Sequence, residues 1–211
     1  MESKNFTEKE SFSIINEMID RARNNVQKIN GHSFLLWGYS IALIAVMNYL
    51  LLYILPVGCK SQSFNVWWLT CVVCIIDAYS SRRIDRSTIV KSYIDRIISN
   101  IWLAHLISII CFLIIIFSLV LFWAKIEFTI LITPTIMILT GLAEFSTAKV
   151  CRFKPFMYGA IYFWVGALLS FLMIIIDGST FVLQFIILAV CMLIGFVIPT
   201  YKLNKLAEEN V

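Results

Sequence analysis

The chain is poor in charge. Asp, Glu, Lys and Arg make up 14% of its 211 residues, where a soluble domain carries roughly 25%. A disordered chain needs far more polar residues than this, and a nucleic-acid-binding domain needs a clustered basic face. Both are excluded, and so is an ordinary soluble enzyme. Histidine is scarcer still, with His32 and His105 alone. No His-Glu-x-x-His, Gly-x-Gly-x-x-Gly or Gly-Lys-Ser/Thr segment occurs. The zinc-protease helix, the dinucleotide fingerprint and the phosphate loop are therefore missing, and the expectation is no cofactor, no metal and no catalytic residue.

What is plentiful is apolar side chain, at 60% of the residues and a mean hydropathy of +0.87. About 20 apolar residues cross a bilayer as a helix. Six such runs occur, at about residues 33–56, 64–80, 97–123, 128–145, 156–176 and 181–199. They are continuous and not alternating, which favours helices over barrel strands. The expected fold class is an all-α membrane protein. Residues 1–31 form a cytoplasmic amphipathic helix, residues 32–200 a six-span transmembrane bundle, and residues 201–211 a cytoplasmic tail. The polar start carries no apolar core or small-residue cleavage site of a signal peptide, so the first span is expected to stay as an anchor.

All 17 Lys and Arg except Lys60 and Lys125 fall on one side of this arrangement. The positive-inside rule then places both termini in the cytoplasm. The loops on the other side are short, at about residues 57–63, 124–127 and 177–180, which excludes an external ligand-binding domain.

Residues 7–30 read as an amphipathic helix. Thr7 and Glu10 match a capping box, and Gly31 matches a helix stop. Phe12, Ile15, Ile19, Ala22, Val26 and Ile29 recur at alternating spacings of three and four and share one stripe. The stripe docks on the bundle or the membrane interface, or it pairs with a second copy or another cytoplasmic protein. Residues 87–96 extend the third span as a stalk, with Ile89, Tyr93 and Ile97 on one face.

Three ionisable groups fall inside the spans. Asp77, His105 and Glu144 lie about 8, 14 and 8 Å from the basic boundaries at Arg82, Arg96 and Lys149. Charge at such depth is costly and is a functional hypothesis by default. Converging, the three could bind a cation or pass protons. The plainer alternative pairs Asp77 and Glu144 with boundary Arg or Lys and gives His105 an interhelical hydrogen bond. Asn48, Asn100 and Gln184 read as polar glue between helices. The Cys71-x-x-Cys74 pair and the other four cysteines read as small packing residues, because a thiol in apolar surroundings is inert. Pro134 is placed to kink the fourth span.

Trp37, Trp102 and Trp164 open the odd-numbered spans and suggest three related hairpins, although Trp at a membrane boundary is general. Several short segments carry a resemblance. Asn30-Gly31-His32-Ser33-Phe34-Leu35-Leu36-Trp37-Gly38 opens the first span, and Tyr93-Ile94-Asp95-Arg96 leads toward Trp102. Arg152-Phe153-Lys154-Pro155-Phe156 and Gly159 precede Phe163-Trp164, and Gly195-Phe196-Val197-Ile198-Pro199 closes the last span. Together they resemble a family of bacterial six-span inner-membrane proteins with a short N-terminal cytoplasmic helix. The chain departs from it at Ala148, where the family has a glycine. The resemblance implies topology and a bacterial inner-membrane location, and it carries no catalytic residue.

Two functional readings follow. The first is a non-enzymatic inner-membrane protein acting through its cytoplasmic face, by self-association or by binding a partner. The second is a small-molecule or ion transporter or channel using Asp77, His105 and Glu144. The bilayer is the partner common to both, and nucleic acid is a partner of neither. The topology itself is testable: protease and tag mapping should place the loop at Cys59 and the terminus at Val211 on opposite sides of the membrane. Finding them in one compartment would refute the six-span orientation.

Overall fold

A computed structural model of the chain describes residues 8–85, 93–123, 126–176 and 182–209. Among them there is no strand. The α-helices are α1 (Glu8–Ile54), α2 (Leu69–Asp85), α3 (Tyr93–Trp123), α4 (Ile132–Cys151), α5 (Lys154–Ile176), α6 (Leu183–Cys191) and α7 (Ile198–Glu209). Tighter 3-10 turns precede α2 over Val57–Trp68 and precede α4 over Ile126–Leu131. A π-helical turn, Met192–Val197, joins α6 to α7, so the two form one spanning rod.

Among the described residues, six helices are long and apolar enough to cross a membrane: Gly31–Ile54, Gly58–Ser80, Arg96–Trp123, Phe128–Cys151, Lys154–Ile176 and Leu183–Lys205. The protein is therefore a multi-pass membrane protein. The last rod is the centre of the bundle, with 61% of its apolar window buried. It packs against α1 and α5, and α4 packs along α5. α2 lies on α1 and α3 on α4; only 11% and 6% of their windows are buried, so most of their apolar side chains face lipid. This distribution follows from the solvent: hydrocarbon is as apolar as leucine, so a span needs no protein cover.

Three local expectations change. Gly31 does not stop a helix. α1 runs unbroken from Glu8 to Ile54, about 70 Å, so the segment before Gly31 continues the first span. No glycine among the described residues has a positive φ. Gly31 serves close approach instead, because the Asn204 side chain of α7 occupies the place its Cβ would take. Pro134 does not interrupt α4. It lies in the first turn, where the missing N–H has no helical partner to lose. The last span does not end at Pro199, since α7 continues to Glu209.

Thr7 of the expected capping box and residues 87–92 of the expected stalk lie outside the described residues. Of the stripe, Phe12 is exposed; the side chains of Ile15, Ile19, Ala22, Val26 and Ile29 lie outside the description.

The link from α4 to α5 is two residues long. Arg152 adopts the left-handed conformation, with φ 53° and ψ 37°. Its N–H and that of Phe153 both reach the carbonyl of Ala148, a Schellman closure made without glycine. Pro155 then falls in the first turn of α5, where it is tolerated. Arg152→Val should lower the unfolding free energy by about 1–2 kcal/mol, because a β-branched side chain resists this backbone. Arg152→Asn, which tolerates it, should change stability far less. Thermal unfolding in detergent would compare the two.

Candidate functional site

The helix ends that carry the basic residues are drawn together by rings. Phe34 of α1 meets Trp102 of α3 at 5.1 Å, Phe156 of α5 at 5.9 Å and Phe196 of the π-turn at 5.4 Å between centroids. Trp102 also meets Phe196 at 5.5 Å. Four elements thus converge at what we term the basic end. The three ionisable groups of the spans sit around this cluster.

Asp77 is held by α1. The Trp37 indole Nε1–H donates to its Oδ2 at 3.0 Å, and Oδ1 is buried with no partner. This bond fastens α2 to α1. The side chains of Arg82, Arg83 and Arg86, expected partners at the boundary, lie outside the described residues.

His105 makes the interhelical bond expected of it. Its Nε2 lies 3.2 Å from Thr140 Oγ1 on α4. The Thr140 hydroxyl donates to the Ile136 carbonyl at 2.8 Å. One hydroxyl has one proton, so the imidazole is the donor to Thr140. The Trp102 ring packs edge-on against His105 at 5.3 Å.

Glu144 stands one turn from Thr140 on the same face of α4. It is fully buried, and neither carboxyl oxygen has a partner. The carboxyl rests on Gly159 of α5, with the Gly195 carbonyl of the π-turn directed at the same place. A Cβ on Gly159 would overlap both groups. Gly195 in turn faces the Gly159 carbonyl and the Phe163 ring.

The Gly195 carbonyl has a further peculiarity. In an α-helix it would accept the N–H four residues on, and residue 199 is proline, which has none. The neighbouring hydroxyl of Thr200 donates to Phe196 at 2.7 Å. Pro199 thus removes the α-helical donor of the Gly195 carbonyl at the end of the π-turn. Such turns are frequent at functional sites.

The structure thus brings His105 and Glu144 to the two ends of one turn of α4. Asp77 is bonded to neither, and among the described residues no group of three His, Cys, Asp or Glu could hold a metal ion. Sequence reasoning missed Gly159, Gly195 and Thr140. The usable signal was the Gly195–Pro199 spacing, which marks a broken hydrogen-bond ladder inside a span. At the opposite end Asn48 is fully buried, with both amide atoms unpartnered, as is the Gln184 Oε1; Asn48 therefore does not act as polar glue, and Asn100 is exposed.

The cysteines and tryptophans are plain by comparison. Cys71, Cys74 and Cys111 face outward, and Cys191 is buried against Gly166, within 3.4 Å of the Tyr162 carbonyl. The three span-opening tryptophans have unlike surroundings: Trp37 bonds Asp77, Trp102 joins the aromatic cluster, and Trp164 lies over Gly141 with its Nε1 3.3 Å from the Ile138 carbonyl. Against known proteins, no family model, curated protein or solved structure matches the chain, and the six-span resemblance identifies no family for it.

Gly159→Ala should destabilise the protein by about 1–3 kcal/mol, since the new methyl displaces either the carboxyl or the π-turn backbone. Gly58→Ala, where a Cβ meets nothing within 4 Å, is the matched control. Thermal unfolding in detergent should show a loss for the first and none for the second.

Proposed function

We propose that this multi-pass membrane protein is a small-molecule or ion transporter in which Glu144 is the working group. One observation carries the reading: a carboxyl with no exposure and no partner, lodged where three helices meet. An ionisable group of that kind is expensive in a membrane and persists where it has a task. Two further features support it. The span facing Glu144 is the one with an interrupted ladder, and transporters place their sites at such discontinuities. His105 of α3 bonds Thr140, one turn from Glu144 on α4. Asp77 is assigned a fastening role through Trp37. Both termini are taken to be cytoplasmic because the basic residues crowd one rim, and the bacterial inner membrane is what the six-span resemblance implies.

A second reading has its own support. α1 extends about 35 Å beyond the span, and Phe12 on that extension is exposed. Such an arm suits self-association or the binding of a cytoplasmic protein without any catalysis.

Purified protein in proteoliposomes, followed with a pH-sensitive dye and with radiolabelled sodium, tests the first reading. Glu144→Gln should cut flux at least about tenfold at unchanged folded yield, while Asp77→Asn should act mainly on stability. Flux unaltered by Glu144→Gln would refute the transporter reading. Removing residues 1–30 should leave flux intact. If that deletion instead abolishes self-association in native mass spectrometry, and no flux exists to lose, the second reading takes its place.

A further inference from the structure

The transporter reading leaves open what Glu144 holds. We infer that its ligand is a single proton, shared between the Glu144 carboxyl and the main-chain carbonyl of Gly195, and that the π-turn is the element this proton locks.

Three observations lead there. First, the partner presented to Glu144 is an acceptor. Gly195 offers a carbonyl oxygen at the point on Gly159 where the carboxyl also lies. A carboxylate in that position would set negative charge against the negative end of a carbonyl dipole. A carboxyl group sets an O–H there, and both groups are satisfied.

Second, the space is small. The two oxygens lie so close to Gly159 that one methyl carbon would overlap both. A dehydrated metal cation needs several oxygen ligands around it, and among the described residues no acidic or sulfur-bearing cluster supplies them. A hydrogen needs only two oxygens.

Third, the acceptor has lost its α-helical donor. Pro199 has no N–H to give the carbonyl four residues back, that of Gly195. A carbonyl oxygen has two lone pairs, so it can take a proton from Glu144 beside any remaining backbone donor.

The titratable group nearest along α4 is His105 of α3, bound to Thr140 one turn away. From α5, Gly159 lies against the carboxyl, and the Gly195 carbonyl of the π-turn reaches the same point. α1 brings Phe34 and Trp37 to this end. Loading breaks one O–H bond of a hydronium ion arriving from the basic end and forms one O–H bond on Glu144. Water is left behind, and no electron is transferred. Unloading puts a carboxylate against the Gly195 carbonyl, and the repulsion pushes the π-turn away from α4 and α5.

Infrared spectroscopy of the full chain in lipid tests this. The wild type should show a protonated-carboxyl C=O band that shifts in D2O and is lost in Glu144→Gln. Pro199→Ala keeps Glu144 and returns an N–H to the Gly195 carbonyl, so the band should persist and move to higher frequency as its hydrogen bond weakens. Exchanging sodium for choline should leave the band unchanged. A band equally present in Glu144→Gln, a band unmoved in Pro199→Ala, or a band that sodium removes would each overturn the inference. The proteoliposome assay separates the two proposals: flux without the band refutes the proton and spares transport, and the band without flux supports the proton and refutes transport.

Discussion

In hydrocarbon, a polar atom that finds no partner inside the protein finds none at all. That constraint shapes the chain at every scale. It makes the spans helical, since a helix satisfies its own backbone. It lets α2 and α3 stand at the margin with most of their side chains in lipid. It also dictates where irregular backbone can occur. The π-turn of Met192–Val197 lies in the span with the greatest burial, where Met192, Gly195, Phe196 and Val197 are covered by protein.

Helix association follows the same logic. With little hydrophobic drive between spans, shape and a few polar links decide the packing. Glycine at 159 and 195 lets α5 and the last rod approach until their backbones touch. The aromatic cluster around Phe34 closes the basic end across four elements. The peripheral helices are each pinned by one side-chain bond, α2 by Trp37 to Asp77 and α3 by His105 to Thr140. Glu144 is the exception among the ionisable groups, being enclosed by the tightest packing without a bond of its own.

Several local signals point the wrong way, for a common reason. Gly31 and Pro134 carry the marks of a stop and a kink. In the structure the first is a seat for Asn204 and the second falls harmlessly in a first turn. Glycine and proline report what a backbone can do, and neighbouring helices choose among the permitted uses. Pro199 shows the converse. It reads as the end of a span, yet the helix continues past it to Glu209, and its missing N–H deprives the Gly195 carbonyl of its α-helical donor.

The sequence by itself determined the all-helical, multi-pass class and the number of apolar spans, because hydropathy is a property of consecutive residues. It did not determine that Asp77 is tied to an indole, that His105 of α3 bonds α4 one turn from Glu144, or that Gly159 and the Gly195 carbonyl meet at that carboxyl. Those facts depend on which faces of distant helices meet. In a bundle where nearly every face is apolar, no periodicity distinguishes the face that meets lipid from the face that meets protein. Only the tertiary structure makes that choice, through the fit of glycine against backbone and ring against ring.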